Sequence, residues 1–185
     1  MPLINPRSFG PGALDRPATN LIVGDGVNGP YPYLWVLGQG PLTTTTPGTD
    51  AACTNGTFYA GAILVPHRVT ITGATNLIGS VGGTDKVIYY LWDKNGAVIQ
   101  TTVLAGVTVG TTATMQTRQA FLDPVVLDPG LYYAGAIFNG ATAKFRAHAI
   151  GNGPAFSSTG TFGTNAALTT AATFTADKAM VLGLY

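Results

Sequence analysis

Not one glutamate occurs in this chain of 185 residues, and lysine, arginine and aspartate together supply only 9% of it. An average soluble domain carries roughly 25% charged residues. Exposed helix faces are normally written in Glu, Lys and Arg, whose unbranched side chains lose little rotamer freedom in a helix. Without that alphabet a helix has little to present to water. Gly, Thr, Ala and Val supply much of what remains, which suits short pleated strands joined by tight turns. The reading is all-β, and the length fits one well-buried core better than two.

The same composition narrows the function. A formal net charge of +1 sets up no field that would hold a polyanion, so neither nucleic acid nor a membrane is expected as a partner. Cys53 is the only cysteine, which rules out an intrachain disulfide and gives no sign of an oxidising compartment. The opening "MPLINPRSFGPG" lacks the apolar stretch of a secretory signal, and no later segment is long enough to span a bilayer as a helix. A soluble chain made in the cytoplasm is expected.

Proline divides the chain. Eight prolines fall between Pro2 and Pro47, fixing φ again and again and removing ladder donors, so residues 1–50 read as an extended N-terminal arm and 51–185 as the folded domain. Within the arm, "YPYLWVLG" reads as one strand. Its Tyr31, Tyr33 and Trp35 need burial on their own domain or on a neighbouring subunit, which makes them candidate arm contacts.

From Thr57 onward, strand-like runs recur at short spacing: "TFYAGAILV", "RVTITGATNLI", "KVIYYLW", "AVIQTTVL", "ATMQTRQAFL", "LYYAGAIF", "TAKFRAHAI" and "KAMVLGLY". Eight short strands with turn signals between them predict an antiparallel β-sandwich, jelly-roll or immunoglobulin-like. "DKNG" at 93–96 predicts a turn between two strands, and Asn139-Gly140 carries a hairpin signal. The polar stretch from Gly151 to Asp177 reads as a long connection of the kind that carries function or moves. The terminal "MVLGLY" is expected to be tied into a sheet.

If Asn139-Gly140 closes a two-residue hairpin, Phe138 faces Ala141 and the register runs back to Leu131 opposite His148. One face then carries Tyr132, Ala134, Ala136, Phe138, Ala141, Ala143, Phe145 and Ala147, and is assigned to the core. The other carries Tyr133, Lys144, Arg146 and His148, with Arg146 against the Tyr133 ring. These four residues are the candidate interaction face, suited to a sugar or an acidic partner, or simply to solvent. The preceding "LDPGLYY" resembles the L-x-P-G-x-Y corner of immunoglobulin-like sandwiches, in which a tyrosine hydroxyl bonds back to the backbone.

No catalytic constellation emerges. "GDGVNG" at 24–29 has dinucleotide-loop spacing, but Pro30 and Pro32 follow where a helix would have to open, so it reads as a glycine turn and no cofactor is expected. Cys53, "TDAACTNGT", reads as a small loop thiol without a nucleophile elbow, unrelated to His67 and His148. Two distant histidines and one cysteine have no metal-ligand spacing. The eight aspartates mark out no glycosidase pair, and Asp93, Asp123 and Asp128 sit in turn contexts.

The succession of "LWDKNGAVI", "LDPGLYYAGAIFNGATAKFRAHAIG", a Ser/Thr/Gly loop with "TGTFGT" and a terminal "MVLGLY" resembles small β-sandwich virion structural proteins of tailed bacteriophages, over roughly residues 57–185. The resemblance implies a non-enzymatic part of a virion, used in capsid decoration or in the tail, collar or fibre. It further implies a homo-oligomer, with a trimer favoured, docked on other virion proteins such as the major capsid or tail protein. The alternative is a carbohydrate-binding module for host-surface glycan, with Tyr33, Trp35 or Tyr133 stacking on sugar rings.

Overall fold

The structure, a computed structural model, describes residues 34–35, 48–110, 112, 118–148, 155–169 and 179–185. These residues form strands and no helix. In chain order the strands are β1 (Leu34–Trp35), β2 (Thr49–Ala52), β3 (Thr57–Val65), β4 (Val69–Asn76), β5 (Lys86–Trp92), β6 (Val98–Thr101) and β7 (Val107–Thr108). They continue with β8 (Gln119–Leu127), β9 (Gly130–Phe138), β10 (Lys144–His148), β11 (Ala155–Thr159), β12 (Ala179–Met180) and β13 (Leu182–Leu184). No helix of the described residues is long and apolar enough to cross a membrane.

The strands pair antiparallel in two facing layers. The larger runs β11-β3-β9-β5-β6, with β7 beside the start of β5. In the other, β2 pairs β10 and β4 pairs β8. β10 is joined to the continuation of β4 by the Ile78–Phe145 bridge and by hydrogen bonds from Gly79 N to Lys144 O (2.7 Å) and from Arg146 N to Leu77 O (3.0 Å). The order β2-β10-β4-β8 against β3-β9-β5-β6 is that of a jelly roll, in which the chain repeatedly crosses between layers. This pairing resolves the choice between the two sandwich topologies.

Where β10 and β4 diverge, the terminal run fills the gap. β12 pairs β10 and β13 pairs β4, with Val181 N donating to Arg146 O (2.8 Å) and Leu77 N to Val181 O (2.9 Å) at the fork. β1 pairs the far edge of β13. The strand expected from "YPYLWVLG" thus appears as Leu34–Trp35. The expected boundary at residue 51 falls inside β2, and the other arm residues lie outside the described set.

Local chemistry sets the connections. In 93–96, Asp93 Oδ1 accepts from the amides of Asn95 and Ala97 (2.8 Å each) and Gly96 takes φ 85°, a left-handed conformation that glycine adopts without a steric penalty. At the β8–β9 corner Tyr132 Oη donates to Asp128 O at 3.0 Å, so the tyrosine expected to bond back to the backbone does so where the chain changes layers.

The Asn139-Gly140 hairpin, by contrast, does not form: β9 lies between β3 and β5, while β10 belongs to the opposite layer. Two polar clips divert the chain. Asn139 Oδ1 accepts from Lys86 N (2.7 Å), and one oxygen of the buried Asp85 carboxylate accepts from the amides of Thr142 (2.8 Å) and Ala143 (2.7 Å). Only glycine fits at 140, since a Cβ there would run into that carboxylate. The inferred core face nevertheless survives in its main residues, because alternation within each strand aims the same side chains at the gap between the layers. Phe138 of β9 and Phe145 of β10 stack across it at 6.1 Å, and Tyr59 meets Phe145 at 4.6 Å. Ala134, Ala136, Ala143 and Ala147 are buried in the same cluster and Tyr132 packs on it, whereas Ala141 is exposed.

A second apolar layer lies on the outer side of the larger sheet, built from Phe58, Ala60, Ile88, Tyr90, Trp92, Ile137, Phe156 and Leu168. That sheet is therefore buried on both faces through much of its area, which explains why β5 reads as an unbroken apolar run rather than an alternating one.

Candidate functional site

The four residues expected to share an interaction face do not share one. Tyr133 lies on the larger sheet, half-buried, with its ring edge-on to Phe156 at 5.6 Å. Lys144, Arg146 and His148 belong to β10 in the opposite layer. The separation follows directly from the missing hairpin. Instead of covering Tyr133, Arg146 places its Nε 3.1 Å from Asp50 Oδ1 and donates from Nη1 to Gly48 O at 3.4 Å. Asp50 also accepts from Ser80 N through both oxygens, at 3.1 Å each. Burial favours the neutral form of Asp50, but the Ser80 hydrogen bonds and the nearby Arg146 and Lys144 charges outweigh it and hold the carboxyl below its ordinary value. His148 pairs with Ala179 through the backbone. Of the arm residues, Trp35 pairs with Gly183 through the backbone, while Tyr31, Tyr33 and the 24–29 glycine turn lie outside the described residues.

Cys53 lies in the β2–β3 connection, as expected, but is buried in the core. It is 2% exposed, its amide donates to Ala143 O (3.1 Å), and burial, helped by the Asp85 charge, pushes the thiol up to about 12. A thiol held neutral at physiological pH is a poor nucleophile. His67 follows the far end of the nine-residue β3, roughly 30 Å from Cys53 at the rise of an extended strand. His148 lies five residues along β10 from Ala143, about 16 Å away by the same measure. The arrangement brings neither histidine to this thiol, and among the described residues no group of three or more His, Cys, Asp or Glu is placed to hold a metal. Asp93 spends its carboxylate on a turn, as expected, while Asp123 sits in a bulge of β8, where its carbonyl accepts from Gln100 Nε2 at 3.4 Å. In the interior, Tyr89 Oη donates to Asn76 Oδ1, and Asn76 Nδ2 donates to Leu77 O (3.1 Å).

The aromatic face of the larger sheet is the feature missed in the sequence. Tyr90 and Trp92 stack in parallel at 5.1 Å and 6°, with Phe58 edge-on to both at 5.1 and 5.4 Å. Left bare, such a row would suit a sugar ring. The segment 160–168 covers it instead. Tyr90 Oη donates to Thr164 O (2.6 Å) and Trp92 Nε1 to Ala166 O (3.1 Å), while Gly160 N donates to Gly56 O and Leu168 N to Gly96 O, both at 2.8 Å. Burial pushes the Tyr90 phenol up to about 12. Phe162, Ala166 and Leu168 pack down onto the rings. Their separations of four and two residues, which keep them on one side of an extended chain, were the available sequence signal.

Some large apolar side chains remain exposed, on different layers. Leu64 and Leu131, directly paired between β3 and β9, are 55% and 40% exposed, and Leu122 and Val126 on β8 are 59% and 54% exposed. On β8 the exposed positions are Ala120, the bulged run Leu122, Asp123 and Pro124, and Val126. At the tip, Arg68 Nε lies 3.7 Å from Asp128 Oδ1, with side chains 74% and 79% exposed.

No protein-family model, curated protein or solved structure matches this chain.

Proposed function

We propose that this chain is a non-enzymatic virion structural protein of a tailed bacteriophage. It self-associates, as a trimer in the favoured form, and docks on other virion proteins as capsid decoration or as a tail, collar or fibre component. The observation that carries the reading is where the polar groups go. Asp85 and Asp93 clip the backbone, Asp50 is tied to Arg146 and Ser80, and Cys53 is sealed in the core. These four groups are spent on architecture, in a jelly roll that leaves several large apolar side chains exposed. The chain's layout, with its tyrosine corner and strand-forming terminal run, agrees with the resemblance to virion sandwiches.

Purified particles from the producing host test this reading. The chain should be present in fixed proportion to the major capsid or tail protein by quantitative mass spectrometry, and antibody labelling should decorate one part of the particle. A chain abundant in the lysate yet absent from clean particles contradicts the proposal.

Glycan attachment is the second reading, and the half-buried Tyr133 on the outer face of the larger sheet favours it. Its natural stacking surface, Tyr90 with Trp92, is already occupied by 160–168. A host-surface glycan array that lights up with wild-type protein and goes dark on Tyr133→Ala transfers the weight to this reading.

A further inference from the structure

We propose that Asn55 is a site of self-modification, where the chain converts its own carboxamide to a carboxylate through a succinimide. Three Asn-Gly pairs lie among the described residues, at 55–56, 95–96 and 139–140, and all three asparagines are exposed. Glycine leaves its amide unshielded by a side chain, so each pair sets a nucleophilic nitrogen beside a carboxamide carbon. Hydrogen bonds decide which pair can use it. Gly96 is buried and its amide donates to Asp93 O at 3.0 Å, so there the nucleophile is held. At 139–140 the carboxamide is held instead, with Asn139 Oδ1 accepting from Lys86 N at 2.7 Å. The Asn55 side chain and the Gly56 amide have no hydrogen-bond partner among the described residues. They sit in a turn closed by Thr57 N to Thr54 O at 3.2 Å, the long end of the usual range, with Gly56 at φ 74°.

The reaction needs only water. On losing its proton the Gly56 nitrogen adds to Asn55 Cγ. The new N–Cγ bond closes a five-membered ring, the Cγ–Nδ2 bond breaks, and ammonia leaves with the proton that the amide gave up. Water then opens the ring. Attack at Cγ leaves aspartate, and attack at the main-chain carbonyl carbon leaves isoaspartate, with the main chain rerouted through Cβ and Cγ. Either product adds a negative charge to the turn, and isoaspartate also lengthens it. That turn anchors the start of the covering segment. Gly56 O accepts from Gly160 N at 2.8 Å, Thr57 pairs with Thr159 of β11, and Gly160 lies directly against the Phe58 ring. Isoaspartate at 55 therefore loosens the hold on 160–168 at its first residue.

The test incubates the full chain at neutral and mildly alkaline pH, folded and, in parallel, unfolded in urea. Peptide mapping by mass spectrometry with electron-transfer fragmentation then scores aspartate and isoaspartate at each pair. In the folded chain Asn55 should convert roughly fivefold faster, or more, than Asn95 or Asn139, because each of those pairs must first give up a hydrogen bond. The rate should rise with pH, since the Gly56 amide must lose its proton, and in urea the three rates should converge. Incubated wild type should exchange the Gly160 amide faster than fresh protein. An Asn55→Gln chain kept for the same time should not, because its longer side chain closes a ring far more slowly. Asn55 that stays intact in the folded chain while converting in urea overturns the assignment, as does Asn95 or Asn139 converting equally fast when folded. Isoaspartate at 55 with Gly160 exchange unchanged overturns the link to the covering segment.

Discussion

The two apolar layers of this molecule are closed in different ways. Between the sheets, Phe138, Phe145, Tyr59 and their neighbours are buried by strand against strand, and alternation along each strand suffices to place them. On the outer side, Phe58, Tyr90 and Trp92 are buried by a single polar-looking segment held through four hydrogen bonds to backbone carbonyls. A sheet face is thus not assigned to core or solvent by its own pattern alone; what the rest of the chain lays over it decides. A face that resembles a ligand platform is here part of the interior.

Cavities should separate the two layers most strongly. Phe145→Ala, at a fully buried site between the sheets, should cost about 3–5 kcal/mol by denaturant titration and lower the midpoint for the whole domain. Leu168→Ala beneath the covering segment should cost about 2–3 kcal/mol. It should also make that segment the first site of limited proteolysis while near-ultraviolet signals from the inter-sheet core persist. If both variants unfold in one identical transition, the layers are a single cooperative unit and the comparison breaks.

Alkali should act on both layers, in a definite order. An unfolded cysteine ionises near 8.5 and an unfolded tyrosine near 10, whereas burial pushes both Cys53 and Tyr90 up to about 12. Between those values unfolding releases a proton, so stability falls as pH rises, by up to about 1.4 kcal/mol per pH unit for each group. Thermal melts should weaken from about pH 9, and Cys53→Ala should flatten the slope between roughly pH 9 and 10, before the tyrosines contribute. The smallest effect is expected from Tyr90→Phe, which removes one hydrogen bond to the covering segment and should cost about 1 kcal/mol. It should speed exchange of the Leu168 amide roughly fivefold without altering the amides of β4.

Much of the fold is legible in the residues. The runs "TFYAGAILV" and "KVIYYLW" coincide with β3 and β5 as observed. The Asp93 turn and the Tyr132 corner could be read because each is satisfied by neighbours a few positions away. What escaped depended on partners far along the chain. The clip that breaks the expected 139–140 hairpin comes from Asp85, 57 and 58 residues upstream of the amides it holds. Once that hairpin is lost, Tyr133 and the Lys144, Arg146, His148 series part company, since only a tight turn would set β10 beside β9. The run "ATMQTRQAFL" stops at Leu122, because Asp123 and Pro124 look like a turn; a bulge absorbs them and the strand continues to Leu127. β11 hid within a Ser/Thr stretch, since two of its five residues alone are apolar.

Whether 160–168 belongs to the folded body or merely lies beside it decides if the outer aromatic face is interior or surface. Native-state hydrogen exchange read by mass spectrometry measures this directly. Protection of the amide at position 168 that falls roughly fivefold in Tyr90→Phe and further in Leu168→Ala, with the β3, β5 and β9 amides opening only at higher free energy, is the predicted result. Exchange of 160–168 at the rate of an unstructured peptide would contradict it and leave Tyr90 and Trp92 as an open surface.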